Sequence, residues 1–80
     1  MTETTVAERI RTFRRVRPDL PAPAERRAIR VAAGLTQAAV ADAVGVTPQA
    51  VALWESGRRT PRGNLLGRYA EAIRAMREPA

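Results

Sequence analysis

The stretch Thr36-Gln-Ala-Ala-Val-Ala-Asp-Ala-Val-Gly-Val-Thr-Pro-Gln-Ala-Val-Ala-Leu-Trp-Glu55 decides the fold, because it spells two short helices hinged at one glycine. Thr36 and Thr47 each stand before a helix-compatible run, where a hydroxyl oxygen can accept a bond from an orphan backbone N–H. Around each threonine an apolar residue precedes the cap and another follows at the fourth helical position, Leu35 with Val40 and Val46 with Val51. Such pairs form hydrophobic staples that fix how the chain enters a helix. Pro48 falls at the first helical position, where its missing N–H costs nothing and its fixed φ favours the helix. Gly45 occupies the joint, where a left-handed residue ends one helix and aims the next. Val40, Ala41, Val44, Val46, Val51 and Trp54 then face inward, with Ala41 small enough to let the helices approach.

Two capped helices about a glycine hinge are the makings of a helix-turn-helix. Gln37, Val40-Ala41, Gly45, Val46, Val51 and Trp54 fall at spacings that resemble the phage Cro and repressor type of that motif, the XRE family. The flanks agree, Gly34-Leu35-Thr36-Gln37 before it and Trp54-Glu55-Ser56-Gly57-Arg58-Arg59-Thr60-Pro61 after it. The resemblance runs from about Ile29 to Ile73 and implies an all-α domain that binds duplex DNA.

The resemblance also implies roles for single residues. Gln37, just behind the Thr36 cap, would bond a phosphate and brace the reading helix, with Thr36 beside it as a further phosphate contact. Exposed positions at the front of the second helix, Thr47, Pro48, Gln49, Ala50 and then Leu53, would meet base edges. Gln49 is the best reader, since its amide matches adenine N6 and N7, while Thr47, Ala50 and Leu53 suit thymine methyl groups. Ser56, Arg58, Arg59, Arg62 and Asn64 match a second backbone clamp, where arginine and helix N-terminal amides meet phosphate. Arg30 and Glu55 match a structural ion pair. Pro48 departs from the family where a hydrogen-bonding reader is common, and Leu53 where a polar or basic one is. Readout therefore leans on methyl contacts, DNA shape and paired half-sites.

Eighty residues allow one small domain, and no segment has strand periodicity. The chain has no cysteine and no histidine, so disulfides, thiolate chemistry and the usual zinc ligands are excluded, and no cofactor is expected. It has no lysine either, which leaves few nucleophiles or general bases, and Asp42, Glu55 and Glu71 show no paired spacing; the chain reads as no enzyme. There is no long apolar run and no basic-then-apolar leader, so the expected location is the cytoplasm, at the nucleoid, and no membrane partner is expected.

The formal net charge is +6, carried unevenly. Residues 1–22 hold five arginines and three acids, 23–55 hold three of each, and 56–80 hold six arginines and two acids. The reading helices are neutral and the ends basic, so phosphate neutralisation falls to the flanks.

In chain order, Thr5-Val-Ala-Glu8 is a capping box that opens a helix to Arg17, closed by Pro18. Val6, Ile10 and Phe13 form an apolar stripe, with Arg9, Arg11, Arg14, Arg15 and Arg17 around it. Such a helix suits packing on the domain, joining a second subunit, lying on phosphates or touching a membrane surface, and Phe13 favours packing, in cis or across a dimer. The connector Asp19-Leu20-Pro21-Ala22 completes this first unit, residues 1–22, and residues 23–78 form the DNA-binding domain. Pro23 begins a helix that stops at Gly34; Thr60-Pro61 repeats the cap-then-proline start for a last helix, which Gly63 and Gly67 weaken. The expectation is a compact all-α, five-helix bundle, a Cro/repressor-type core plus an extra N-terminal helix. Its core is Ile29, Val40, Val44, Val51, Trp54, Leu66, Tyr69 and Ile73. The expected protein is a bacterial or phage-type transcriptional regulator, a repressor acting as a homodimer on an inverted repeat. The alternative is an antitoxin-like adaptor that holds a partner protein through the same scaffold or through the N-terminal helix.

Overall fold

The computed structural model describes residues 5–10 and 20–79, all helix, turn and loop. Residues 6–10 are helical (α1), followed by α2 (Pro23–Ala32), α3 (Gln37–Val44), α4 (Pro48–Ser56) and α5 (Asn64–Arg77). Phe13, Arg17, Pro18 and the closure of the first helix lie outside the described residues. The capping box that opens α1 is present: Glu8 N–H donates to Thr5 Oγ1 at 3.1 Å, and Thr5 N–H donates to Glu8 Oε2 at 3.4 Å.

Local chemistry sets the other boundaries. Thr36 Oγ1 accepts from Ala39 N–H at 3.0 Å and Thr47 Oγ1 from Ala50 N–H at 3.2 Å, so each threonine satisfies a donor that its helix cannot. Pro23 and Pro48 are first helical residues. Gly45, at φ +90°, ends α3, and the N–H groups of Gly45 and Val46 both turn back to Ala41 O. Gly57, at φ +77°, ends α4 in the same left-handed conformation.

The last helix starts later than Thr60-Pro61 suggests. Gly63 precedes it at φ +58° and ψ −135°, a backbone state closed to residues with a Cβ, and Asn64 is its first residue. Gly63 is thus the device that admits the chain to α5 rather than a weak point within it, and Pro61 is buried beneath the loop.

One core joins α2 to α5. Val40, Ala41, Val44, Val51, Trp54, Tyr69 and Ile73 are buried together, and Leu20, Ile29, Val46, Ala50, Leu65, Ala72 and Met76 pack around them. The Trp54 and Tyr69 rings lie 4.7 Å apart at 48°, a tilted pair that adds to the area they bury. Two expected core positions shift. Ile29 is half-buried at the margin. Leu66 is half-buried but does not pack against the core cluster, whereas its neighbour Leu65, also half-buried, does. Leu20 and Pro21, placed with the N-terminal unit, are held by the domain, Leu20 against the core and Pro21 O by a bond from Arg26.

Candidate nucleic-acid interface

Helix α4 is fixed from behind by polar groups on α2. Arg30 Nε donates to Glu55 Oε2 at 2.6 Å and Arg30 Nη2 to Glu55 Oε1 at 3.0 Å, a bidentate pair between buried residues. Arg30 Nη1 continues to Leu35 O at 2.8 Å, and Gln37 Nε2 reaches Glu55 Oε1 at 3.2 Å. The network therefore ties α2, the α2–α3 turn and the start of α3 to the last turn of α4. Burial alone would push the Glu55 carboxyl up; hydrogen bonds from Arg30 and Gln37, with the charges of Arg30 and Arg27, outweigh it and hold it below the usual carboxylate range. The bond to Glu55 raises Arg30 above its ordinary value against the opposing effect of burial. Burial, then the nearby Glu55 charge, push the Tyr69 phenol up.

On the other side of α4 lies an open groove of about 820 Å³. It is lined by the cap Thr47 and by Gln49, Ala50, Leu53 and Trp54 of α4, by Arg58, Arg59, Thr60, Pro61 and Arg62 of the α4–α5 loop, and by Leu65. The groove thus unites the four residues expected on bases with the three arginines expected on phosphates. Gln49 is exposed, as is the Thr47 hydroxyl that caps the helix. Ala50 and Leu53 are half-buried, Ala50 against the core, so less of each methyl surface is free than their position on α4 suggests. Arg58, Arg59 and Arg62 are exposed and, among the described residues, pair with no carboxylate.

Four expected phosphate contacts lie outside the groove. Thr36 is exposed at the cap of α3 and Asn64 at the first position of α5. Gln37 is half-buried with its amide already on Glu55, so bracing α4 is its observed engagement. Ser56 Oγ donates to Leu53 O at 3.0 Å and accepts from Arg58 N–H at 3.4 Å. Its hydroxyl thus bonds within the end of α4 and the loop that follows.

Thr60, Pro61 and Leu65 were not singled out for this surface. Thr60-Pro61 has the local chemistry of a helix start, and Leu65 carries no signal beyond its neighbour Leu66. Among the described residues no group of His, Cys, Asp or Glu is placed to hold a metal, and no helix is long and apolar enough to cross a membrane.

Neither a curated protein nor a solved structure matches the chain. A family model described as helix-turn-helix matches residues 27–77, the span from α2 through α5 that builds and backs this groove, and the chain belongs to that family of Cro/repressor-type, XRE-like DNA-binding proteins.

Proposed function

We propose that the protein is a sequence-specific regulator of transcription that reads the major groove of duplex DNA with residues 47–54, as a homodimer on an inverted repeat. The observation that carries this reading is the shared groove, where exposed Gln49 faces the same open space as Arg58, Arg59 and Arg62. Base edges and phosphates lie within one side-chain length of each other in a duplex, so a reader and a cationic clamp must share a surface in this way. Thr36, Gln37 and Asn64 add contacts on neighbouring phosphates through the first turns of α3 and α5, where the helix dipoles favour anions.

One domain of this size buries too little DNA for tight binding, which favours a dimer with two half-sites. The apolar residues Tyr69, Ala70 and Ile73 of α5 are buried within the protomer, whereas Val6 and Ile10 of α1 are 79% and 53% exposed. Between α1 and α5, it is α1 that has apolar surface to give to a second subunit. The same exposure favours the second reading, an adaptor holding a partner protein through α1.

Fluorescence anisotropy on a labelled duplex across a salt series separates the readings. A regulator loses affinity steeply, each phosphate contact adding about −0.9 to the log–log slope. Weak binding with a flat slope removes the DNA reading and leaves the adaptor.

A further inference from the structure

Arg26 is 8% exposed and, among the described residues, has no carboxylate partner, which is an expensive way to fill space that a leucine or methionine would fill without desolvating a charge. Its guanidinium is taken up by two backbone carbonyls: Nε donates to Pro21 O at 2.7 Å and Nη1 to Trp54 O at 3.0 Å. Trp54 lies in the last turn of α4, where carbonyls lack intrahelical partners and the negative end of the helix dipole favours a cation.

Two neighbouring features give this bond its consequence. Arg26 and Arg30 lie four residues apart on one face of α2 and grip consecutive residues of the reading helix, the Trp54 carbonyl and the Glu55 carboxylate. The carbonyl just before, Leu53 O, receives the N–H groups of Arg58 at 3.1 Å and Arg59 at 3.3 Å, so the clamp loop departs from the same helix end. One grip would let α4 pivot about the Arg30–Glu55 pair. Two fix both its roll and the point from which Arg58 and Arg59 project.

We propose, on the basis of the DNA reading above, that Arg26 is a positioning residue for recognition: it holds the end of α4 so that Gln49 meets a base while Arg58 and Arg59 meet phosphates. Arg26 lies one residue ahead of the family match at 27–77, so the second grip is argued from this chain's own contacts. The bond to Pro21 O extends the same hold to the connector, where the Pro23 ring closes on Gly57: a Cβ built on that glycine would lie 3.1 Å from Pro23 Cγ.

The test compares the unsubstituted 80-residue chain with Arg26→Met, which keeps the bulk and removes both bonds, and Arg26→Lys, which keeps the charge and can reach a carbonyl but not both. Each binds a duplex selected by the wild-type chain from a random pool and an unrelated duplex of equal length, at several salt concentrations. Circular dichroism establishes which variants are folded. The expected result for Arg26→Met is an affinity loss of about tenfold on the selected duplex and about twofold or less on the unrelated one, with the salt slope unchanged and Arg26→Lys in between. A lower melting temperature with discrimination intact overturns the proposal, because the role is then structural only. A slope shallower by about 0.9 also overturns it, since Arg26 would then touch phosphate itself. If Arg26→Met does not fold, Arg26→Lys decides on the same criteria. A wild-type chain that selects no duplex removes the DNA reading and this proposal with it, whereas wild-type selection with unchanged variants removes this proposal alone.

Discussion

Arg30 and Glu55 are joined through two bonds, 2.6 and 3.0 Å long, and through them α2 holds the far end of the helix that faces the groove. Both residues are buried, so the pair is a joint of the fold rather than a surface ornament. Removing one partner strands the other charge in a buried site. Glu55→Gln is expected to cost about 3–5 kcal/mol in urea denaturation, a large part of the stability of a small domain. The double variant Arg30→Met with Glu55→Leu should recover much of that loss, since no buried charge is left unpaired. A double variant as unstable as Glu55→Gln would mean the pair adds strength of its own.

The same pair makes stability depend on acid. Glu55 has a lower pKa folded than unfolded, so its contribution is fully present above the unfolded value, about 4.3, and is lost as pH falls through the folded one. Tyr69 has the opposite displacement: its contribution is fully present below the unfolded value, about 10, and is lost as pH rises through the folded one. Melting temperature against pH should therefore form a plateau that falls at both ends. In Glu55→Gln the acid fall should flatten, and in Tyr69→Phe the alkaline one. An acid limb equally steep in Glu55→Gln would place the sensitive carboxylate elsewhere.

Two glycines separated by one turn of chain should respond in opposite directions. Gly63 stands at φ +58°, so Gly63→Ala forces a strained backbone, at a cost of about 1–3 kcal/mol. Gly67 lies within α5 with ordinary helical φ, and a Cβ there would meet nothing within 4 Å. Gly67→Ala should stabilise by about 1 kcal/mol, seen as a rise in melting temperature. If Gly67→Ala also weakens DNA binding, the open space over that glycine is used by a phosphate.

What the sequence made legible was what depends on near neighbours in the chain. Thr36, Thr47, Pro48 and Gly45 set their helix ends through bonds and dihedrals spanning a few residues, and their spacing alone places them. The Arg30–Glu55 pair, 25 residues apart, was reached through family resemblance, not through periodicity. Nothing local marks Arg26 as an arginine that buries itself against a carbonyl 28 residues away. The start of α5 was misplaced because Thr60-Pro61 has the same local chemistry as Thr47-Pro48. In the folded chain Pro61 is drawn inward, and the helix waits for the turn that only Gly63 permits. Ser56 bonds locally as well, its hydroxyl to Leu53 O three residues back, a contact ordinary for serine in a helix.

The proposed function gives different work to α4 and to the α4–α5 loop, and binding should divide accordingly. Gln49 is exposed, and its amide can present a donor and an acceptor together to one base edge. Gln49→Ala should cost about 1–3 kcal/mol on a selected duplex and little on unrelated DNA, with the salt slope unchanged. Arg58 carries charge on a loop that no carboxylate among the described residues neutralises. Arg58→Ala should weaken both duplexes alike and make the slope shallower by about 0.9. Anisotropy titrations of both variants on both duplexes at three salt concentrations give all the terms. Equal losses on the two duplexes for Gln49→Ala would move Gln49 to the phosphates and leave Thr47, Leu53 and DNA shape to carry discrimination.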